Sequence, residues 1–133
     1  MRYLLDSNIC IYLINQRDPN LMRRMREVPI EEVCISTLVL AEMLFGAEKS
    51  ARTEKNRQAI VDFSSNLFIL DFDAEAAVHY GQIRADLERK GTPIGPLDLL
   101  IAAHARSRNL TLVTNNAREF VRVPGLTIEN WTQ

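Results

Sequence analysis

The chain has little cysteine, no long apolar run and no excess of either charge. It carries only two cysteines, Cys10 and Cys34, and their separation matches no zinc-binding spacing, which argues against a disulfide framework or a zinc module. No apolar stretch approaches the roughly 20 residues that cross a bilayer. The start, Met1-Arg2-Tyr3, lacks the apolar core of a signal peptide, so we expect a cytoplasmic protein whose two thiols stay reduced in its core.

The near-neutral charge limits the ways in which this chain could bind nucleic acid. Its net charge of −1 disfavours a protein that coats nucleic acid with a uniformly basic surface. A nuclease stays possible, because an acidic metal site offsets basic residues placed around it. The candidate phosphate contacts are Arg23, Arg24, Arg26, Arg84, Arg89, Lys90, Arg106, Arg108, Arg118 and Arg122.

Short apolar runs alternate with helical patterns along all 133 residues, and no repeat or Gly/Ser-rich linker interrupts them. We therefore predict one domain, 1–133, with a three-layer α/β fold: a short, mostly parallel central sheet of four to five strands flanked by helices. The predicted strands are Arg2–Asp6, Val33–Ile35, Leu67–Leu70, Leu110–Thr114 and an edge strand, Leu126–Glu129. The predicted helices are Asn8–Ile14, Pro19–Glu27, one from a cap at Ser36 or Thr37 to Lys49, one capped by Thr53, Ala74–Lys90 and Pro96–Arg108.

Three isolated carboxylates border segments that are otherwise almost purely apolar. Asp6 ends the first strand, Glu42 lies within an apolar helix, and Asp98 opens another. Glu42 shares a helical face with Leu38 and Phe45, which predicts that it lies in the apolar stripe. An unpaired charge beside buried surface costs about several kcal/mol or more, and no basic residue is placed to pair with all three. If the fold gathers them, a divalent cation is the expected partner.

The predicted topology permits this convergence. Ligands of parallel α/β sheets bind beyond the carboxyl ends of the strands, where Asp6 and Thr114 fall. Mg²⁺ prefers oxygen ligands, polarises phosphoryl groups and lowers the pKa of bound water, so the pattern favours a phosphodiesterase. Each acid also has a structural alternative: helix capping for Asp6, a hydrogen-bonded buried carboxylate for Glu42, and the helix dipole for Asp98.

The segment after the fourth strand adds two candidates. Asn116 could hydrogen-bond a metal-bound water and Glu119 could add negative charge, although an Asn-rich turn that caps a short helix would have the same composition. Four other polar residues have structural interpretations: Asp71 as a strand end, Asp73 as a helix cap, and His79 and His104 as structural histidines.

Together these motifs resemble PIN-domain ribonucleases, specifically the VapC-type toxins of bacterial toxin–antitoxin pairs. The resemblance covers nearly the whole chain, and its motifs occur in the family's order and spacing. The residues that carry it are Leu4-Leu5-Asp6-Ser7-Asn8, Ile35-Ser36, Leu40-Ala41-Glu42 with Gly46-Ala47, Gly95-Pro96-Leu97-Asp98-Leu99-Leu100-Ile101-Ala102, Leu112-Val113-Thr114-Asn115-Asn116 and Arg118-Glu119-Phe120.

The resemblance implies a site that holds Mg²⁺ or Mn²⁺ through Asp6, Glu42 and Asp98. The fourth acid of the family falls at Asn116, where Asp is common; a branch of VapC-like toxins has the same Asn-Asn and Arg-Glu-Phe, so Glu119 would complete the site. Asn116 would then position water or the scissile phosphate. Supporting hydroxyls are expected from Ser7, where Thr is commoner, and from Thr114.

The resemblance also implies partners. It predicts a structured RNA substrate, with tRNA anticodon loops favoured over an rRNA loop, a cognate VapB-type antitoxin, a homodimer, and contact with promoter DNA only through the antitoxin complex. Two other classes stay open. Asn116 favours a catalytically degenerate RNA-binding module, and Asp6 at a strand end favours an aspartyl-nucleophile phosphatase, although Asn8 stands where that chemistry usually needs an acid.

Overall fold

The molecule is built on a five-stranded parallel sheet, described here from a computed structural model of residues 1–133. Its strand order is β3-β2-β1-β4-β5, and every neighbouring pair is parallel. The central strand is wholly apolar and buried, and its Leu4 pairs with Cys34 on one side and Leu112 on the other. The predicted α/β class is therefore confirmed. The strands are β1 Tyr3–Leu5, β2 Val33–Ser36, β3 Phe68–Leu70, β4 Thr111–Val113 and β5 Ile128–Glu129.

Seven helices cover the sheet, and most begin where a local signal predicts. The Ser36 hydroxyl accepts the Leu38 N–H at 3.0 Å, and Asp73 accepts the Ala76 N–H at 3.0 Å. The predicted cap at Thr53 is wrong: Thr53 is the first helical residue, and its hydroxyl donates to a carbonyl in the preceding turn. The helices are α1 Ser7–Ile14, α2 Pro19–Glu27, α3 Thr37–Lys49, α4 Thr53–Ser64, α5 Ala74–Arg89, α6 Pro96–Ser107 and α7 Ala117–Phe120, with a 3₁₀ turn at Ile30–Glu32.

The buried apolar side chains form one continuous core that extends from Tyr3 to Trp131. Cys10 and Cys34 both lie in it as free thiols, and burial raises the pKa of each, that of Cys34 to about 11. The third strand departs from the expected burial, because Phe68 is 55% exposed on a strand that forms a sheet edge. None of the helices is both long and apolar enough to cross a membrane.

Parallel pairing brings the carboxyl ends of β1, β2 and β4 to one edge of the sheet. The Asp6 N–H donates to the Val113 carbonyl at 3.1 Å, which holds the end of β1 against the end of β4. Buried His104 on α6 places its Nδ1 2.8 Å from the Ser36 hydroxyl, which joins α6 to the start of α3. Thus α3 and α6, which carry two of the candidate acids, are fixed relative to each other.

Candidate active site

Asp6 lies at the end of the central strand and is only 6% exposed. Its Oδ1 accepts the Ile9 N–H at 2.9 Å, so the capping alternative holds as a structural contact of this residue. Burial raises the pKa of Asp6, the Thr114 hydroxyl and the Ile9 N–H partly offset that rise, and the charge of Glu42 adds to it. Asp6 therefore both caps α1 and faces a second acid.

Glu42 corrects one expectation from the sequence. It lies on an exposed face of α3, with Phe45 61% exposed beside it, so the predicted apolar stripe through Glu42 is wrong. The helix instead buries Val39, Met43 and Ala47. The carboxylate reaches back to the strand end, because the Ser7 hydroxyl donates to Glu42 Oε2 at 2.5 Å.

Asp98 and Glu119 form a coupled pair of acids. Burial raises the pKa of Asp98 to about 6, and the hydrogen bond and charge of Glu119 add to it, followed by the charges of Asp6 and Glu42. The pKa of Glu119 is lowered, because the Gly95 N–H donates to its Oε1 at 3.0 Å and the Asn116 amide to its Oε2 at 2.6 Å. Of the two acids, Asp98 is therefore the one that takes up a proton first as the pH falls.

The structure thus brings all four predicted acids within electrostatic reach of one another. None of the four takes part in an ion pair, although six such pairs form elsewhere in the protein. No three acidic, His or Cys side chains are gathered tightly enough to ligate a single ion as they stand. Three of the acids instead accept hydrogen bonds from protein donors: Asp6 from Ile9, Glu42 from Ser7, and Glu119 from Gly95 and Asn116. The four carboxylates form no ion pair and offer only oxygen ligands, which a hard divalent cation prefers. The residues therefore fit such an ion in charge and chemistry.

The turn after β4 shapes this arrangement. The Asn116 N–H donates to the Thr114 hydroxyl oxygen at 2.9 Å, which folds the chain back toward the acids. Asn116 occupies the N-cap position of α7, yet its side chain makes no capping bond and instead donates to Glu119. In this structure the Asn116 side chain therefore contacts an acid. Its role in positioning water or the scissile phosphate stays a prediction.

Comparison with known proteins identifies the family. The profile of the PIN domain matches residues 3–126. The chain belongs to the PIN-domain family. It is 48% identical over 131 residues, 98% of each chain, to a Salmonella typhimurium protein named tRNA(fMet)-specific endonuclease VapC. It also resembles two solved structures: DNA-bound VapBC from Salmonella typhimurium (TM-score 0.93, 47% identity, 98% of each chain) and VapBC2 from Rickettsia felis bound to a fragment of its promoter (TM-score 0.90, 43% identity, 98% of this chain and 99% of that one).

No role was predicted from the sequence for one contributor to this PIN-domain site. Gly95 donates its N–H to Glu119. A Cβ on Gly95 would lie 3.7 Å from Asp98 Oδ2 and 4.0 Å from Glu119 Oε1, so the glycine backbone passes directly beside both acids. The available signal was its place in the motif Gly95-Pro96-Leu97-Asp98.

The pKa of Asp98 predicts a pH-dependent effect of Asp98→Asn on the metal-free PIN domain. An acid whose folded pKa is raised above its ordinary value of 3.8 destabilises the fold progressively as the pH rises toward its folded value of about 6, and fully above it. Asn carries no charge and can still donate to Glu119. We expect Asp98→Asn to raise the free energy of unfolding at pH 7 by about 1–2 kcal/mol, after allowance for solvent screening of a half-buried group.

Urea unfolding in EDTA at pH 7 and at pH 4 measures this effect. The gain should be present at pH 7 and small at pH 4, where Asp98 is protonated in the folded protein and half-protonated in the unfolded chain. A gain of equal size at both pH values would show that charge at Asp98 is not its cause.

Proposed function

We propose that this protein is an endoribonuclease toxin that cuts structured RNA, with tRNA favoured and rRNA as the other target class. The observation that carries the proposal is the cluster of four acids, none of them in an ion pair, near the strand ends of a PIN domain. Support comes from the 48% identical relative, whose name specifies tRNA(fMet).

In this proposal Asp6, Asp98 and Glu42 hold Mg²⁺ or Mn²⁺. Such an ion, when bound, polarises a phosphoryl oxygen and makes water a stronger nucleophile at neutral pH. Glu119 supplies a fourth negative charge, and Asn116 keeps that carboxylate oriented toward Asp98 while it positions water or the scissile phosphate.

Two hydroxyl groups position the acids. Ser7 donates to Glu42 and holds that carboxylate toward the end of β1. Thr114 contacts Asp6 and accepts the Asn116 N–H, so it joins the first acid to the turn that carries the fourth. Removal of the Ser7 hydroxyl would release Glu42, and removal of the Thr114 hydroxyl would release Asp6.

The proposal includes the partners that the relatives' structures suggest. VapBC complexes from two bacteria, both bound to DNA, resemble this chain over nearly its full length. We propose a cognate VapB-type antitoxin that covers the acidic site, a homodimer, contact with promoter DNA only through the antitoxin complex, and a cytoplasmic location.

A second candidate is a catalytically degenerate PIN domain that only binds RNA. Asn116 in place of the common acid favours it, as does the absence of three acids already gathered for one ion. The four uncompensated carboxylates favour the enzyme, because a binding module gains nothing from their mutual repulsion.

RNA cleavage by the purified, antitoxin-free protein distinguishes the two candidates. Total bacterial tRNA and ribosomes are incubated with the protein in Mg²⁺, Mn²⁺ or EDTA, beside the variant Asp6→Ala. Discrete fragments that require metal and disappear in Asp6→Ala support the nuclease, and their ends identify the target. Intact RNA in every condition, together with retained RNA binding, would establish the degenerate module.

A further inference from the structure

A second concavity lies beside the acidic site. It is a cavity of about 420 Å³ between α5 and the loop that leads into α6, and we call it the α5 cavity. That volume is within the range of about 300–1,000 Å³ typical of sites for small organic groups. Four of its eight lining residues are hydrophobic, and the lining includes Tyr80, Arg84, Glu88, Pro93, Pro96 and Leu99.

The α5 cavity and the acidic site meet at the first turn of α6. Pro96 and Leu99, which line the cavity, lie in the same turn as Asp98. Residues of one turn are separated by at most about 5.4 Å along the helix axis, so the cavity and the Asp98 carboxylate flank the same turn. Gly95, between two lining residues of the loop, donates to Glu119.

The rim of the α5 cavity carries one aromatic ring and a preorganised polar pair. Arg84 donates from Nη1 to the Tyr80 hydroxyl at 2.9 Å and from Nε to Glu88 Oε2 at 2.7 Å. Arg84 Nη2 and Glu88 Oε1 form no hydrogen bond within the protein, which leaves a donor and an acceptor facing solvent at the rim. A ring or guanidinium plane for stacking, with a donor and an acceptor for an edge, is how proteins bind unstacked RNA bases.

Charge also favours a strand of RNA as the occupant. The four acids repel the phosphates that they must approach, so the strand needs affinity from groups just outside the cluster. The α5 cavity has Arg84 at its rim, and exposed Arg122 donates to the Pro93 carbonyl at 3.1 Å on the same loop. Arg84 therefore lines the cavity itself, and Arg122 contacts the loop that forms its other side.

We propose that the α5 cavity binds one nucleobase of the RNA substrate, close to the scissile phosphodiester, with Tyr80 stacking on the base and Arg84 and Glu88 meeting its edge. The inference rests on the proposed ribonuclease function and specifies how the substrate is held. A base held there would fix which phosphate lies at the acids and would make cleavage dependent on a single nucleotide position.

Abasic scanning of the substrate tests the proposal. Short RNAs that contain the mapped cut site, each with one abasic nucleotide, are cleaved by the wild type, Tyr80→Leu, Tyr80→Phe and Arg84→Ala. One abasic position should raise KM on the order of 10-fold with little change in kcat, and Tyr80→Leu should do the same on intact RNA. Tyr80→Phe, which keeps the ring, should stay close to wild type.

The decisive measurement combines the Tyr80→Leu variant with the RNA that carries the critical abasic position. Tyr80→Leu and the critical abasic position remove the same contact, so together they should raise KM no more than either alone. Arg57→Ala is the matched control, because it removes an exposed ion pair with Glu54 on α4, as Arg84→Ala removes the pair with Glu88 on α5. It should leave KM unchanged at every RNA position.

The possible outcomes separate this inference from the proposed function. Normal cleavage with independent, additive effects of Tyr80→Leu and every abasic position would overturn the inference and leave the nuclease intact. If Arg84→Ala or Tyr80→Leu changes the sedimentation coefficient but leaves KM unchanged, the cavity contacts a second copy of the chain. That result would also overturn the inference. Failure of the wild type to cut any RNA would overturn the proposed function and this inference with it.

Discussion

Asp98→Asn is expected to lower RNA cleavage by more than about 100-fold while the protein stays fully folded. Loss of a group that only supports a metal ligand costs about 10- to 100-fold, so loss of a ligand itself should cost more. Asn has nearly the shape of Asp and can still donate to Glu119, which keeps the local packing. The measurement is the initial rate of tRNA cleavage in Mg²⁺ and in Mn²⁺, with circular dichroism to confirm the fold.

The matched control is Asp71→Asn, which removes an equal charge from an exposed residue that forms no ion pair. Its cleavage rate should equal that of the wild type. Retention of more than about a tenth of the activity in Asp98→Asn would contradict a ligand role for Asp98. The site would then depend on the other three acids.

Trp131→Ala is expected to lower the free energy of unfolding by about 3–5 kcal/mol, the usual cost of truncating a buried aromatic residue. Trp131 is 2% exposed, and the Tyr3 ring packs edge-on against it at 5.0 Å. Its Nε1 donates to Glu129 Oε1 at 2.9 Å, and the same oxygen accepts from Arg24 at 3.1 Å. The substitution leaves a void beside β1 and removes the anchor of β5.

Urea unfolding measures this loss. The slope of the unfolding free energy against urea concentration should be the same in the variant and the wild type, which checks that only stability has changed. Trp131→Phe keeps a ring against Tyr3 but lacks the donor to Glu129, so it should lose clearly less stability than the alanine variant. Cleavage at low temperature should persist in both, because Trp131 touches none of the four acids. A loss below about 1 kcal/mol in Trp131→Ala would show that the last residues of the chain are not part of the cooperative fold.

The sequence alone was enough for the elements whose signals are local. Pro19 marks the start of α2, Asp73 the start of α5 and Pro96 the start of α6, and each helix begins where predicted. The short apolar runs yield a parallel sheet, because alternation of strands and helices leaves few other arrangements. Asp6, Glu42 and Asp98 were also singled out from sequence, since isolated charges beside apolar segments need a common explanation, whereas Glu119 was suggested by the family resemblance.

The sequence was a poor guide where burial depends on distant packing. Local periodicity placed Glu42 in an apolar stripe, yet α3 buries the neighbouring face through Val39 and Met43, because α1 and α4 pack there. Phe68 is apolar but exposed, because strand order makes β3 an edge. Neither fact is encoded in the residues next to these positions.

The sequence by itself determined the fold class, the starts of α2, α5 and α6, and Asp6, Glu42 and Asp98 as candidate acids, since propensity, capping and the cost of unpaired charge act over a few residues. Only the tertiary structure decided how the acids are held: Ser7 contacts Glu42, Gly95 and Asn116 contact Glu119, and burial beside Glu119 raises the pKa of Asp98. It also placed the α5 cavity against the same turn of α6. These contacts join residues up to 35 positions apart in the chain, and the pKa of a carboxyl group depends on burial and on neighbouring charges that only the folded chain brings together.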